Sequence, residues 1–95
     1  MQFGWDEDKA AANEQKHAVT FEDAQTVFFE EDALLYDDPD HSEDEDRFLL
    51  VGPSARLQLL VVVHCYRESD EVIRIISARQ ATRRERRDYV EARSR

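Results

Sequence analysis

The sequence has few of the residues that build disulfides, metal sites and phosphate-binding loops. It contains one cysteine, Cys65, so an internal disulfide is excluded and cysteine zinc sites are not expected. Only two glycines occur, and no glycine-rich phosphate loop is present. The HExxH zinc motif and the GxSxG nucleophile motif are also absent. Metal-dependent and covalent catalysis therefore have no local signature in this sequence.

Long hydrophobic runs are missing as well. No run approaches the ~18 apolar residues that a membrane helix needs, and the longest, residues 57–65, is interrupted by Gln58 and His64. The first residues, MQFGWDEDK, are acidic and lack the apolar segment of a secretory signal. The 95 residues suffice for one modest core. We therefore expect a single cytoplasmic domain over residues 1–95 that does not contact a membrane.

Positive charge is confined to the second half of the chain, whose net charge is −9. Residues 1–46 contain 16 Asp and Glu and two Lys, whereas residues 47–95 contain six Asp and Glu and eleven Arg. Such a division indicates a polyanionic or acidic partner for the second half, or pairing between the two halves of the domain. Composition alone leaves both interpretations open.

Capping residues predict two helices in the first third of the chain. Asp6 is an N-cap candidate in front of a helix over residues 7–17. Glu7, the first residue of that helix, places a negative charge at the positive end of the helix dipole. Thr20 is the next N-cap candidate. Apolar residues then follow at helical spacing and form one face: Phe21, Ala24, Val27 and Phe28.

A third helix is predicted at the end of the chain. Thr82 and Glu85 have the spacing of a capping box, which predicts a helix over residues 83–93. Apolar residues are scarce in this segment, so we expect it to dock through Tyr89 and Val90 and to leave most of its arginines outside.

Between these helices the pattern changes to strands. A short candidate at residues 33–36 is followed by three β-branched runs, at residues 47–52, 57–66 and 71–78. Short connections predict antiparallel hairpins. Residues 37–46 contain seven acids and no hydrophobic residue, so we expect a mobile, solvated loop there. The order predicts an α+β fold with two N-terminal helices, an antiparallel three- to four-stranded sheet and a C-terminal helix.

The run at residues 57–66 has two different faces. One is wholly apolar and is expected to meet the helices: Leu57, Leu59, Val61, Val63 and Cys65. The other is mixed and is expected to form the floor of a groove: Gln58, Leu60, Val62, His64 and Tyr66.

The remaining polar residues suit RNA cleavage without a metal. That reaction needs a base for the 2′-hydroxyl, an acid for the leaving oxygen and cations for the developing charge. Arginine matches phosphate well because it is planar and always charged. Arg47, Arg74 and Arg79 lie on or near predicted strands. The candidates for proton transfer are His17, His64 and Tyr89. Ordinary surface ion pairs and core packing are the alternative roles for these residues.

Two motifs are similar to those of a known protein family. F-x-W-D-x-x-K-x-x-x-N-x-x-K-H-x-V-x-F-E-x-A-x-x-V-F spans residues 3–28, and R-I-I-S-A-R-x-A-T-R-R-E-R-R-x-Y spans residues 74–89. Arg47, Gly52, Ser54 and the apolar residues 59–63 follow in the expected order between them. Over nearly its whole length, the chain resembles the BrnT toxins of bacterial type II toxin–antitoxin systems.

The resemblance implies a fold, an activity and a partner. BrnT-type toxins have a RelE-like fold and act as ribonucleases that inhibit translation. A BrnA-type antitoxin binds the toxin, in a complex of two toxins and two antitoxins that represses its own operon. RNA is then the substrate, and DNA is contacted only indirectly, through the antitoxin. No metal or other cofactor is implied.

The resemblance also assigns residues. The catalytic candidates are Lys16, His17, Arg74 and Arg79. We predict that Arg74 and Arg79 bind phosphate and stabilise transition-state charge, and that His17 transfers a proton. Lys16 adds electrostatic support. The RNA-binding candidates are Arg47, Arg83, Arg84 and Tyr89, and Glu85 of the last helix is a further functional candidate.

Two departures and one alternative accompany the resemblance. The family usually has a glycine where Ala18 stands, and often one near residues 56–57. If the first glycine needs a positive φ, Ala18 costs about 1 kcal/mol.

Because the net charge of −9 repels RNA at long range, the alternative is a catalytically weak or inactive member. It would act as a protein-binding module for the antitoxin in operon autoregulation.

Overall fold

A computed structural model describes residues 1–39 and 46–94. Its strands are β1 (Gln2–Gly4), β2 (Leu34–Asp37), β3 (Phe48–Pro53), β4 (Leu59–Arg67) and β5 (Val72–Gln80). Its helices are α1 (Glu7–His17), α2 (Phe21–Gln25) and α3 (Arg83–Arg93), with a 3₁₀ turn at Thr26–Phe29. No helix in the described ranges is long and apolar enough to cross a membrane. The acidic loop predicted at residues 37–46 lies largely outside the described residues, since 40–45 are not among them.

The α+β class is confirmed, but the predicted sheet was wrong in strand number and direction. Five strands form one sheet in the order β1-β5-β4-β3-β2. β2 to β5 pair antiparallel, whereas β1 pairs parallel to β5, with Gln2 opposite Val72. A three-residue strand is too short to give an alternating hydrophobic pattern, so β1 left no signal in the sequence.

The predicted bounds of α1 and α3 and the three N-caps are confirmed. The second helix is shorter than predicted, because α2 ends at Gln25 and Val27 and Phe28 lie in the 3₁₀ turn. Asp6 Oδ1 accepts the N–H groups of Asp8 and Lys9, at 2.8 and 3.2 Å, and thereby begins α1. Thr82 and Glu85 close a reciprocal capping box at the start of α3. These local bonds satisfy donors that the first helical turn leaves without partners.

Helices pack on both faces of the sheet. Leu60 and Val62 of β4 lie fully buried in a core with Phe21 of α2, whereas Val61 packs with Tyr89 of α3 in a second core. The prediction that the mixed face of β4 forms a groove floor was therefore wrong, because α1 and α2 cover that face. Tyr89 docks α3 as predicted, but docking through Val90 was wrong, since its side chain is 57% exposed.

Both positions where family glycines are missing adopt left-handed backbone conformations. Ala18, directly after α1, has φ 57°, and its N–H donates to Glu14 O at 2.8 Å in a C-terminal cap. Leu57, in the hairpin between β3 and β4, has φ 64°. This conformation costs a residue with a Cβ about 1–2 kcal/mol. Ala18 therefore has the positive φ on which its expected cost depended.

Ala18→Gly is expected to stabilise the protein by about 0.5–1 kcal/mol. The relieved backbone strain exceeds the entropy that glycine adds to the unfolded chain. Ala11→Gly is the matched control, since Ala11 is exposed within α1 and glycine there costs about 1 kcal/mol. Urea unfolding followed by circular dichroism measures both changes. The prediction fails if the two variants shift the free energy of unfolding in the same direction.

Candidate functional site

Arg79 and Glu85 connect β5 to α3 through a bidentate ion pair. Arg79 Nη1 and Nη2 donate to the two carboxylate oxygens of Glu85, at 2.7 and 2.9 Å. Glu85 Oε1 also accepts the N–H of Thr82 at 2.9 Å. The Arg79 hydrogen bonds are the largest cause that lowers the pKa of Glu85, to about 2. The pair therefore stays charged at every physiological pH, and Arg79 has a structural role besides any functional one.

A β-bulge places Arg74 and Arg79 on the same face of the sheet. The two residues are five apart, so regular alternation would put them on opposite faces. Val63 pairs with Ser77 but His64 pairs with Ile75, which leaves Ile76 as an extra residue in β5. As a result Arg79 lies beside Val61 and Arg74 beside Cys65, on the face that also carries α3. Among the described residues, the side chain of Arg74 forms no hydrogen bond or ion pair.

Exposed arginines continue this positive surface onto α3. The side chains of Arg83, Arg84, Arg86 and Arg87 are all exposed. The two helical acids nearest to them in the sequence are Glu85, which pairs with Arg79, and the exposed Asp88. The RNA-binding candidates Arg83 and Arg84 therefore lie on the solvent side of α3, where a polyanion can approach them.

The other two catalytic candidates lie on the opposite side of the sheet. Lys16 and His17 end α1, which packs on the face of Leu60 and Val62 through Ala10 and Asn13. Asn13 binds Ala78, the residue before Arg79, so α1 contacts the C-terminal part of β5 near Arg79 and not the part that carries Arg74. The structure brings Arg74 and Arg79 together on one face but leaves Lys16 and His17 on the other.

Two RNA-binding candidates are less accessible than the sequence indicated. The Tyr89 ring is only 7% exposed, and its hydroxyl donates to Asp32 O at 3.0 Å. Burial is the largest cause that raises its pKa. This position argues against stacking of Tyr89 on a base. Arg47 is half-buried beside the β2–β3 connection, where its carbonyl accepts the N–H of Asp38 at 3.0 Å.

Asn13 was part of the first motif, but sequence reasoning gave it no role. Its side chain is buried and donates to Val19 O and Ala78 O, at 3.0 and 2.8 Å, while Oδ1 accepts the Ala78 N–H at 3.0 Å. β1 pairs with β5 only as far as Arg74, so Ala78 has no strand partner on that side. The amide of Asn13 replaces the missing strand. The burial of Asn13 is a tertiary feature, so no signal in the local sequence could have identified this role.

His64 lies in an aromatic cluster in the core, away from any accessible surface. Its ring is fully buried and packs edge-on against Phe28 and Tyr66. Nδ1–H donates to Val62 O at 3.2 Å, which leaves Nε2 to accept the Tyr66 hydroxyl at 3.3 Å. Burial lowers the pKa of His64 from its ordinary 6.5. The histidine is therefore held neutral, which argues against a part in proton transfer to RNA.

Acidification is expected to destabilise the protein through His64. Because the folded state lowers the pKa of His64, the unfolded chain binds this proton more readily below pH 6.5. Stability then falls as the pH drops from 6.5 to the folded pKa, by about 1.4 kcal/mol per pH unit at most. His64→Phe should flatten this part of the pH profile, measured by urea unfolding. Equal slopes in His64→Phe and in wild type would contradict the prediction.

No group of three or more His, Cys, Asp or Glu side chains is arranged to hold a metal ion within residues 1–39 and 46–94.

Comparison with known proteins gives the family of this chain. A family model described as "Ribonuclease toxin, BrnT, of type II toxin-antitoxin system" matches residues 5–85. The chain belongs to the BrnT family. Its fold is similar to the crystal structure of the Brucella abortus ribonuclease toxin BrnT, with a TM-score of 0.66 and 25% sequence identity, covering 87% of this chain and 99% of that chain. A search of curated proteins gave no match.

Membership in the BrnT family confirms the resemblance drawn from the two motifs. The matched residues include the whole of α1 and β5 and the first turn of α3, with Arg74, Arg79 and Glu85. The family is one of ribonuclease toxins of type II toxin–antitoxin systems, which implies an antitoxin as partner. The roles of individual residues are not part of that match.

Proposed function

We propose that this chain is a metal-independent endoribonuclease toxin that is neutralised by a BrnA-type antitoxin. The family match supports the class of reaction. The structural observation that carries the proposal is the bulge in β5, which sets Arg74 and Arg79 on the α3 face. Bulges are over-represented beside active sites, where they re-aim side chains. The toxin acts in the cytoplasm, and its RelE-like classification and the complex of two toxins with two antitoxins remain predictions.

In the proposed reaction the RNA 2′-hydroxyl attacks the adjacent phosphate. The new P–O2′ bond forms as the P–O5′ bond breaks, which gives a 2′,3′-cyclic phosphate and a free 5′-hydroxyl. Arg74 binds the phosphate, and Arg79 stabilises the charge that develops on its oxygens. His17 accepts the 2′-hydroxyl proton and returns it to the leaving 5′-oxygen, with Lys16 in support. Because both residues end α1 on the opposite face of the sheet from Arg74 and Arg79, this role requires the RNA to pass around the edge of the sheet. Arg47, Arg83 and Arg84 hold the flanking phosphates, so RNA affinity should fall as salt rises.

Arg74→Ala is expected to lower the rate of RNA cleavage by about 10²–10³-fold, because one charge-stabilising donor is lost. Cleavage of a labelled RNA by the purified chain measures the rate, with EDTA present to test metal independence. Lys9→Ala is the control, since it removes an exposed cation of α1 outside the proposed site. Loss of cleavage in EDTA would refute metal independence, and equal rates for Arg74→Ala and wild type would refute the role of Arg74.

A second function is favoured by the ion pair of Arg79. Glu85 occupies both terminal nitrogens of this arginine, so a phosphate must compete with a carboxylate for them. A weakly active or inactive member would then bind the antitoxin in operon autoregulation without cutting RNA. Induced expression in a bacterium separates the two functions. Growth arrest with loss of intact RNA supports the toxin, whereas normal growth with soluble protein supports the binding module.

A further inference from the structure

A small cleft lies between the end of α1, the beginning of α2 and the β3–β4 hairpin. Its volume is about 240 Å³, and the side chains that matter here are Glu14, Thr20, Asp23, Arg56 and Gln58. Clefts that bind drug-sized ligands usually measure ~300–1,000 Å³. This cleft therefore suits a single side chain or a group of that size.

Asp23 is the unusual member of the cleft. The residue is only 8% exposed, and its Oδ2 is buried without a hydrogen-bond partner in the described parts of the chain. Its backbone, in contrast, is satisfied: the N–H donates to Thr20 Oγ1 at 3.0 Å and the carbonyl accepts the Thr26 hydroxyl at 2.6 Å. A buried polar group without a partner costs about 1–3 kcal/mol, and more if charged. A ligand that donates a hydrogen bond to Asp23 Oδ2 would remove this cost.

Helix capping does not use this oxygen. In α3 the corresponding pair, Thr82 and Glu85, forms both bonds of a capping box. In α2 Thr20 accepts the N–H of Asp23, but Oδ2 of the shorter acidic side chain has no partner within the described ranges. The cap therefore leaves Asp23 Oδ2 without a donor. Because this oxygen has almost no accessible surface, a ligand in the cleft must displace neighbouring atoms to bind it.

We propose that the cleft binds the guanidinium group of an arginine from a partner protein. Glu14 adds a second, exposed carboxylate to the lining, so Glu14, Asp23 and Arg56 together have a formal charge of −1. Guanidinium is planar and offers five donors in a fixed fork that matches carboxylates. An RNA strand fits less well, because its phosphates would approach Glu14 and Asp23. Arg56 lines the cleft but makes no ion pair with Asp23 within the described residues.

The test is a titration of the full chain with methylguanidinium chloride, followed through backbone amide chemical shifts by NMR, with sodium chloride at equal ionic strength as reference. Wild type should show saturable shifts at the amides of Asp23 and Gln58. Asp23→Asn keeps the shape of the side chain and should weaken binding roughly tenfold, since it removes the charge of the acceptor. Glu22→Gln, an exposed neighbour on α2, removes the same charge outside the cleft and should bind like wild type.

Two results would overturn the proposal. One is a set of shifts that never saturate and match those in sodium chloride, which would mean that the cleft holds only water. The other is equal affinity in Asp23→Asn and wild type. If Asp23→Asn does not fold, Glu14→Gln decides, because unchanged affinity in that variant would also overturn the proposal. The titration involves no RNA, so its outcome is independent of the proposed ribonuclease activity.

Discussion

Asn13→Ala is expected to lower the free energy of unfolding by about 2–4 kcal/mol. The change leaves Ala78 N–H, Ala78 C=O and Val19 C=O without their partner, and each unpaired buried group costs about 1–3 kcal/mol. Water that enters the space left by the amide can bind some of these three groups, so the total loss of stability is smaller than the sum of their separate costs. Urea unfolding followed by circular dichroism measures the loss. Gln15→Ala is the matched control, because it removes an exposed amide from the same helix.

Asn13→Asp should be more destabilising than Asn13→Ala at pH 7. A carboxylate keeps an acceptor for Ala78 N–H but presents an anion to the carbonyls of Val19 and Ala78. Burial raises the pKa of such a carboxyl, and its protonated form regains one donor. The difference between the two variants should therefore narrow as the pH falls. A loss in Asn13→Ala no larger than in Gln15→Ala would contradict the strand-replacement role.

Asn13 and Gly52 have structural roles that sequence reasoning missed. Asn13 completes the hydrogen bonds of β5, and a Cβ on Gly52 would lie 2.9 Å from Ala33 Cβ and 3.1 Å from Val27 Cγ1. Both roles depend on residues far away in the sequence, so neither has a local signature. Capping residues do have one, and for that reason the bounds of α1 and α3 were predictable.

The candidate site was predictable in its residue types and not in its geometry. Arginines along the predicted β5 segment indicated phosphate binding, but no pattern in the sequence indicated the bulge at Ile76, which places Arg74 on the same face as Arg79. Strand alternation alone would have separated them. The division of the candidates between the two faces of the sheet is also a tertiary feature. The division arises because α1 packs across β5, and the hydrophobic periodicity of the sequence does not indicate which strand a helix packs against.

Arg79→Gln is expected to lower RNA cleavage about 10²–10³-fold while lowering stability by no more than about 1 kcal/mol. The first effect is the usual loss on removing a donor to developing charge. The second follows from the exposure of the pair, since 37% of the Arg79 side chain and 33% of the Glu85 side chain are accessible. The measurements are cleavage rates of a labelled RNA and urea unfolding of the same preparations.

Arg93→Gln is the matched control for that variant. Arg93 forms an ion pair with Asp32 at 2.7 Å, with comparable exposure of 42% and 48%, and it also lies on α3. Its loss should cost similar stability and leave the cleavage rate near that of wild type. If both arginine variants lose activity equally, the effect comes from weaker docking of α3, and Arg79 is then a structural residue.

Glu85→Gln tests whether Glu85 restrains Arg79. Glutamine preserves the capping box with Thr82 and one hydrogen bond to Arg79, but it removes the carboxylate that competes with phosphate. RNA should then bind more tightly and be cut faster than by wild type, because Arg79 keeps its charge and loses its anionic partner. A slower reaction would mean that the carboxylate is needed to orient Arg79. Glu85 would in that case be a positioning residue for the arginine, and the ion pair would be part of the active arrangement.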